Sequence, residues 1–192
     1  MGKGRLEAFS DGVLAIIITI MVLELKVPHG TDIEALRPLI PVMLSYTLSF
    51  VYLAIYWNNH HHMLHVTHKV DGAILWANMH LLFWLSLIPF TTAWMGENHF
   101  AHTPTTIYGV VLLMAAIAYT ILSLWIIRRE GPESLLAVAV GRDWKGKLSL
   151  LLYATAIVAS LYKEWIAQAL YVVVAIIWLV PDSRIEHAAA GQ

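Results

Sequence analysis

Six long apolar stretches, separated by short polar connections, constrain the fold of this 192-residue chain more than any other feature of its sequence. A helix needs about 20 apolar residues to cross the roughly 30 Å hydrocarbon core of a bilayer. The stretches lie near residues 6–27, 38–60, 72–95, 105–127, 147–163 and 164–181. None shows the period-two alternation of a membrane barrel strand, so each is expected to be a helix. The sequence therefore predicts an all-α protein, a six-transmembrane-helix bundle that forms a single domain over residues 1–192. Lys163 and Glu164 leave it open whether residues 147–181 form two short helices or one bent helix.

The balance of residue types fits a membrane protein and excludes several other classes. Hydrophobic residues make up 59% of the chain and charged residues 13%, whereas soluble domains average roughly 45–50% and about 25%. The formal net charge of -1 gives no basic surface field that would attract nucleic acid, so no nucleic-acid partner is expected. The chain has no cysteine, which excludes disulfides, thiolate metal sites and cysteine nucleophiles.

The basic residues between the stretches predict how the chain crosses the membrane. Cytoplasmic loops of membrane proteins carry an excess of lysine and arginine. With the N-terminus inside, the larger group of basic residues is also inside. That inner group is Lys3, Arg5, Lys69, Arg128, Arg129, Arg142, Lys145, Lys147 and Arg184, against Lys26, Arg37 and Lys163 outside. We therefore expect a multi-pass protein of the cell membrane with both termini in the cytoplasm.

The first apolar stretch is poorly suited to face lipid. Asp11 and Glu24 bracket its uninterrupted apolar core, the eleven residues 13–23. A helix of this length rises roughly 16 Å, about half of the hydrocarbon core. An ionised Asp11 at membrane depth would cost at least ~2.5–3.5 kcal/mol. We therefore expect other helices to shield this one from lipid and to supply a partner for Asp11.

One face of the same stretch is a stripe of branched aliphatic side chains. With about 100° of turn per residue, Ile16, Ile20 and Leu23 lie on one face and Thr19 lies at its edge. Such stripes are more often packing surfaces than pore linings, and Thr19 would then bond the carbonyl four residues earlier. The spacing alone leaves both interpretations open.

Three motifs in the first half of the chain occur in order on the first three stretches. They are Arg5, Phe9, Ser10 and Asp11 in the first, Trp57 and His60 in the second, and Asn78 followed by Pro89, Phe90 and Thr91 in the third. This set resembles the prokaryotic relatives of the endolysosomal potassium channel, transmembrane protein 175. The second half carries no motif that matches this family, so there the resemblance rests on helix count.

The resemblance implies a homotetramer in which the first helix of each copy lines a central pore. Ile16 then corresponds to the hydrophobic constriction, Thr19 to a threonine associated with potassium preference, and Ile20 and Leu23 to the rest of the lining. The permeant species would be potassium and other monovalent cations, and no cofactor is implied. The chain contains no TVGYG filter, so any selectivity has to arise by other means.

Asp11 needs partners from neighbouring helices. Arg5 is six positions away and therefore on another face of the same helix. Polar or indole side chains at membrane depth in the second and third stretches are the candidates, namely Trp57, His60, Asn78 and His80. A buried network that joins them to Asp11 would support the pore helix structurally, and a proton relay is the alternative.

Histidines supply a second interpretation of the chain, that of a membrane metalloenzyme. His60, His61, His62, His65 and His68 cluster at the end of the second stretch. The spacing resembles the histidine boxes of membrane di-iron enzymes, but those need several boxes, and His80, His99 and His102 are isolated. A solvated helix end is the simpler interpretation, and a regulatory pH or metal site is a further one. We therefore expect a protein that is not an enzyme and has no metal site.

A proton-coupled or small-solute transporter is the remaining alternative. Asp11 and His80 at membrane depth would fit such a function. Transporters of this kind often have an inverted repeat and broken helices around a midplane cavity. The sequence shows no repeat, and Pro89 is the only strong helix breaker inside a middle stretch. A channel is therefore favoured over a transporter.

Overall fold

In the computed structural model, which describes residues 2–141 and 143–179, every regular element is a helix. Eight α-helices and one 3-10 helix run in chain order through these residues. They are α1 (Lys3–Leu23), the 3-10 helix (Ile33–Leu39), α2 (Ile40–His65), α3 (Gly72–Ser86), α4 (Ile88–Glu97), α5 (His102–Glu130), α6 (Leu135–Val140), α7 (Trp144–Ser160) and α8 (Glu164–Leu179). The expectation of an all-α protein built from apolar helices is confirmed.

The helices coincide with the six predicted stretches, but they differ in length. Four helical segments of the described residues are long and apolar enough to cross a membrane: α1, the 3-10 helix with α2, α3 with α4, and α5. The last two apolar helices are shorter, with 17 residues in α7 and 16 in α8. The six-span count therefore stays a prediction. Residues 180 and 181 of the sixth stretch, Arg142 and Arg184 lie outside the described residues.

The question left open at residues 147–181 has a clear answer in the structure. The chain turns after Ser160 and restarts at Glu164, so this region is two helices and not one bent helix. The turn is closed by the backbone amide of Lys163, which donates to the carbonyl of Ala159 at 2.8 Å. Helices α7 and α8 then pack against each other.

The second helix is longer than predicted. The sequence placed its end at His60, whereas α2 continues to His65. The last turn is held because Met63 and Leu64 are buried in the core, while the polar side chains of His61 and His65 point outward. Histidines surround Met63 and Leu64 in the sequence, so the apolar pattern predicts an earlier end for this helix.

Helix α5 forms the centre of the bundle, and α1 lies at its side. Helix α5 packs against α3, α4, α7 and α8, whereas α1 packs against α2, α3 and α4. The loop that follows α2 is anchored to α5 through Glu130, whose carboxylate accepts from the backbone amides of His68 and Lys69 at 2.7 and 2.8 Å. These contacts fix the ends of α2 and α3 against which α1 packs.

Candidate pore-lining helix and its polar support

Helix α1 has one face in the core and one face that its own chain leaves uncovered. The buried face is made of residues spaced three or four apart: Leu6, Ser10, Leu14, Ile17 and Met21. On the uncovered side, Ile16 is 59% exposed, Ile20 41% and Leu23 79%. The expectation that the bundle shields this helix is therefore met on one face only. The described residues of the chain leave the aliphatic stripe exposed.

The uncovered surface runs the whole length of α1 and is mostly apolar. Phe9 is 46% exposed, and Arg5 and Gly12 are also exposed on this side. These positions recur at the three- and four-residue spacing of a single helical stripe that continues through Ile16 to Leu23. Arg5 and Phe9 thus lie with the aliphatic stripe and apart from the buried contacts of α1.

Thr19 lies on the exposed surface beside the stripe. Its hydroxyl donates to the carbonyls of Ala15 and Ile16, each at 3.0 Å. This is the local bond expected of a packing threonine. A hydroxyl has one donor and two acceptor lone pairs, so its oxygen can still accept or coordinate while the proton stays on the helix backbone.

Asp11 has a partner on α2. The indole nitrogen Nε1 of Trp57 donates to Oδ1 of Asp11 at 3.1 Å. Asp11 is half-buried and Trp57 is exposed on its outer side. The carboxylate that the sequence places at membrane depth is therefore bonded to the neighbouring helix.

Ser10, the residue before Asp11, belongs to a separate and fully buried network. Nδ2 of Asn78 in α3 donates to the hydroxyl of Ser10 at 3.0 Å. Oδ1 of the same amide is bonded to Nε2 of His60 in α2 at 2.7 Å. Ser10 in turn donates to the carbonyl of Leu6 at 2.9 Å. Three helices, α1, α2 and α3, are thus joined at one buried point.

His80 lies outside both contacts, in contrast to the sequence-based expectation. Its Nε2 accepts from the indole of Trp84, one turn further along α3, at 2.9 Å. The position two residues after Asn78 points away from Asn78 on a helix, which accounts for the difference.

A lysine near each end of α1 contacts another helix, and the sequence did not predict either contact. Nζ of Lys3 donates to the carbonyl of His65 at the end of α2, at 2.6 Å. Beyond the other end, Nζ of Lys26 lies 2.6 Å from Oε1 of Glu97 in α4. The hydrogen bond and charge of Glu97 raise the pKa of Lys26, so this exposed lysine stays protonated. The sequence shows a lysine near each end of α1 but not the partner that it binds.

The histidines at the end of α2 take separate roles. His60 is buried in the network, while His61 stacks on Trp57 with ring centroids 6.0 Å apart and on His65 at 6.2 Å. Within the residues that the structure describes, no group of three or more histidine, aspartate or glutamate side chains is placed to hold a metal ion.

Comparisons with known proteins agree with this geometry. The sequence model of a family described as "Endosomal/lysosomal potassium channel TMEM175" matches residues 5–89. This range includes the Asp11–Trp57 hydrogen bond and the buried network at Ser10. A potassium channel of Chryseobacterium sp. is 56% identical over 188 residues, covering 98% of each chain. The crystal structure of a lysosomal potassium-selective channel TMEM175 homolog from Chamaesiphon minutus superposes with a TM-score of 0.81 at 29% identity, covering 94% of this chain and 97% of that one.

These matches define a membrane ion-channel protein and not an enzyme. The chain belongs to the TMEM175 family of endosomal and lysosomal potassium channels and their bacterial relatives. The human relative, named an endosomal/lysosomal proton channel, is 30% identical over 116 residues, and the match spans 54% of this chain but 23% of the human protein.

Proposed function

We propose that this chain is one protomer of a homotetrameric, potassium-permeable cation channel of the cell membrane, with its pore lined by the uncovered stripe of α1. The observation that carries the proposal is the contrast between the two faces of this helix. One face is joined to α2 and α3 by buried hydrogen bonds, whereas the other presents Ile16, Ile20 and Leu23 to the outside of the chain.

A shared axis accounts for a stripe that runs along α1 and that the described residues of one chain leave exposed. Lipid contact would suit the aliphatic side chains but not the exposed, charged Arg5 on the same surface. If several copies surround an axis, their α1 stripes face the water on that axis and face one another. The bacterial relatives named potassium channels support this choice.

The aliphatic side chains would act as a hydrophobic gate. Rings of isoleucine and leucine offer no ligand to a partly dehydrated cation, so a narrow ring expels water and stops conduction. Small movements of α1 would then switch the pore between dry and wet. The buried network at Ser10 would hold α1 at one point, and the rest of α1 would move about that point.

Thr19 would supply the preference for potassium. One hydroxyl from each copy forms a layer of acceptor oxygens next to the Ile16 ring, with each proton held by the helix backbone. Such a layer favours the cation that loses its hydration water more readily, which is potassium over sodium. Because one hydroxyl per copy is a weak ligand set compared with stacked carbonyls, the preference is expected to be modest.

Reconstitution in liposomes tests the function. Purified full-length protein is sealed into vesicles with a potassium gradient, and potassium flux, pH change and the mass of the purified oligomer are recorded together. A channel gives passive potassium flux that follows the gradient, from particles with the mass of four chains. Potassium flux that requires a proton gradient would favour the transporter alternative. Proton flux without potassium flux would contradict the potassium channel and would match the name of the human relative, a proton channel.

A further inference from the structure

A cavity of about 460 Å³ lies inside the protomer, away from the contacts of α1. Helices α2, α5, α6 and α7 line it, together with Trp178 of α8. Helix α2 contributes Tyr52, Ile55, Tyr56 and Asn59, whereas its contacts with α1 and α3 are made by other residues. The volume falls in the range of about 300–1,000 Å³ that is usual for small-molecule sites.

The walls of this cavity are mostly apolar, and the buried polar side-chain atoms in them have hydrogen-bond partners within the protein. Thr120 and Asn59 donate to the carbonyls of Ala116 and Ile55 on their own helices, at 2.9 and 2.8 Å. The hydroxyl of Tyr52 donates to the carbonyl of Tyr171 on α8 at 2.6 Å. Among the described residues, no buried side-chain nitrogen or oxygen lacks a hydrogen-bond partner. Walls of this kind favour hydrocarbon over water or a polar solute.

One part of the lining has a different character, with two lysines and the indoles of Trp144 and Trp178. The lysines are Lys145 and Lys147, and Nζ of Lys145 lies 5.9 Å from the centroid of the Trp178 ring. Asp143 also lines the cavity, and its Oδ1 accepts from the amide of Gly146 at the start of α7. Among the described residues that line the cavity, two are lysines and one is an aspartate.

We propose that this cavity binds an anionic phospholipid, with an acyl chain inside it and the phosphate against Lys145 and Lys147. Basic pockets between transmembrane helices bind anionic headgroups, and indoles are typical of the interface where headgroups lie. A mostly apolar lining that includes two lysines matches the two parts of such a lipid. The inference needs only that the chain is in a membrane, so it goes beyond the proposed conduction and does not depend on it.

Lipid binding to the full-length protein tests the headgroup contact. Phosphatidylglycerol and phosphatidylcholine with identical acyl chains are titrated into purified protein, and bound lipid is counted by native mass spectrometry. We expect one phosphatidylglycerol per protomer and preference over phosphatidylcholine. Lys145→Gln and Lys147→Gln should each weaken this binding by about five-fold. Lys163→Gln, at the turn between α7 and α8, is the matched control and should leave it unchanged.

A second substitution tests whether an acyl chain occupies the cavity. Ala116→Phe fills the cavity from α5 and should abolish retention of phosphatidylglycerol, whereas Ala154→Phe adds the same ring at an exposed position of α7 and should not. Equal binding of the two lipids, or unchanged affinity in both lysine variants, would overturn the proposal. So would tight binding of oleate that phosphatidylglycerol cannot displace, because the occupant would then be a single-chain amphiphile. Since the readout is bound lipid and not flux, a failure of the proposed channel function leaves this test intact.

Discussion

Ser10 and Asp11 are neighbours in the chain, yet their side chains join α1 to different partners. Ser10 is fully buried and meets the amide of Asn78, whereas the half-buried Asp11 meets the indole of Trp57. Adjacent positions on a helix point about 100° apart, so two consecutive polar residues can connect one helix to two others. The pair fixes the rotation of α1 about its own axis, and this rotation determines which residues form the uncovered stripe.

Asn78 is the residue on which the buried network depends. Its amide bonds both Ser10 and His60, so Asn78→Ala leaves two buried polar groups without their partner. We expect a loss of about 1–3 kcal/mol of stability, seen as a lower Tm of the purified protein. Asn98→Ala removes an exposed amide that bonds its own helix, and its effect should be within about 0.5 kcal/mol. Equal effects of the two substitutions would contradict the role of the network.

The acceptor role of Thr19 has a direct test. Thr19→Ala removes the hydroxyl oxygen that the proposal places beside a ring of Ile16 side chains, and it leaves the helix otherwise intact. We expect the potassium-to-sodium permeability ratio to fall towards one while potassium flux persists. Thr155→Ala removes an exposed hydroxyl with the same four-residue backbone bond, and it should not change the ratio. An unchanged ratio in Thr19→Ala would show that selectivity arises elsewhere.

At the scale of elements, apolar periodicity predicts much of the fold but not the ends of its helices. The break between α3 and α4 at Leu87 reflects Pro89 in the first turn of α4, yet both helices remain one apolar segment. The extension of α2 beyond His60 was missed because a run of histidines hides the buried Met63 and Leu64. Helix ends depend on which side chains reach the core, and this depends on the packing of other helices.

The stripe on α1 is an element-scale prediction, because it needs a whole helical face. Ile16→Asn puts an amide into the constriction, which should then stay wet, so potassium leak into liposomes should rise. Ile176→Asn is the matched control, since Ile176 on α8 is 56% exposed and Ile16 is 59% exposed. A leak that rises equally in both variants, or that is unchanged in Ile16→Asn, would argue against a hydrophobic gate.

The candidate site was predictable from the sequence only in part. The spacing of Ile16, Ile20 and Leu23 identifies one face, and the motif residues Asp11 and Trp57 do meet. The different partners of Ser10 and Asp11 and the absence of His80 from the network were not predictable. The angular spacing of positions on a single helix separates Ser10 from Asp11 and Asn78 from His80, but which of them meets a neighbouring helix depends on how α1 and α3 are rotated against each other.

At the scale of the whole molecule, the proposed pore needs more than one copy of the chain. Within the described residues its core lies between α5 and the surrounding helices, and α1 stands at the side with one face uncovered. Contacts between copies are encoded as exposed apolar surface, which a sequence does not distinguish from surface that faces lipid. The homotetramer and the six-span topology accordingly remain proposals, whereas the channel family and the helical fold are established.

The placement of α1 around a water-filled axis is the central claim, and the absence of native cysteine makes it directly measurable. Leu23→Cys places a thiol on the stripe, and Leu151→Cys places one at an exposed leucine of α7. A positively charged methanethiosulfonate reagent is added to liposomes during potassium flux. The account predicts that flux falls in Leu23→Cys and is unchanged in Leu151→Cys and in the unmodified protein. Unchanged flux in Leu23→Cys, with mass spectrometry showing that the thiol has reacted, would contradict it.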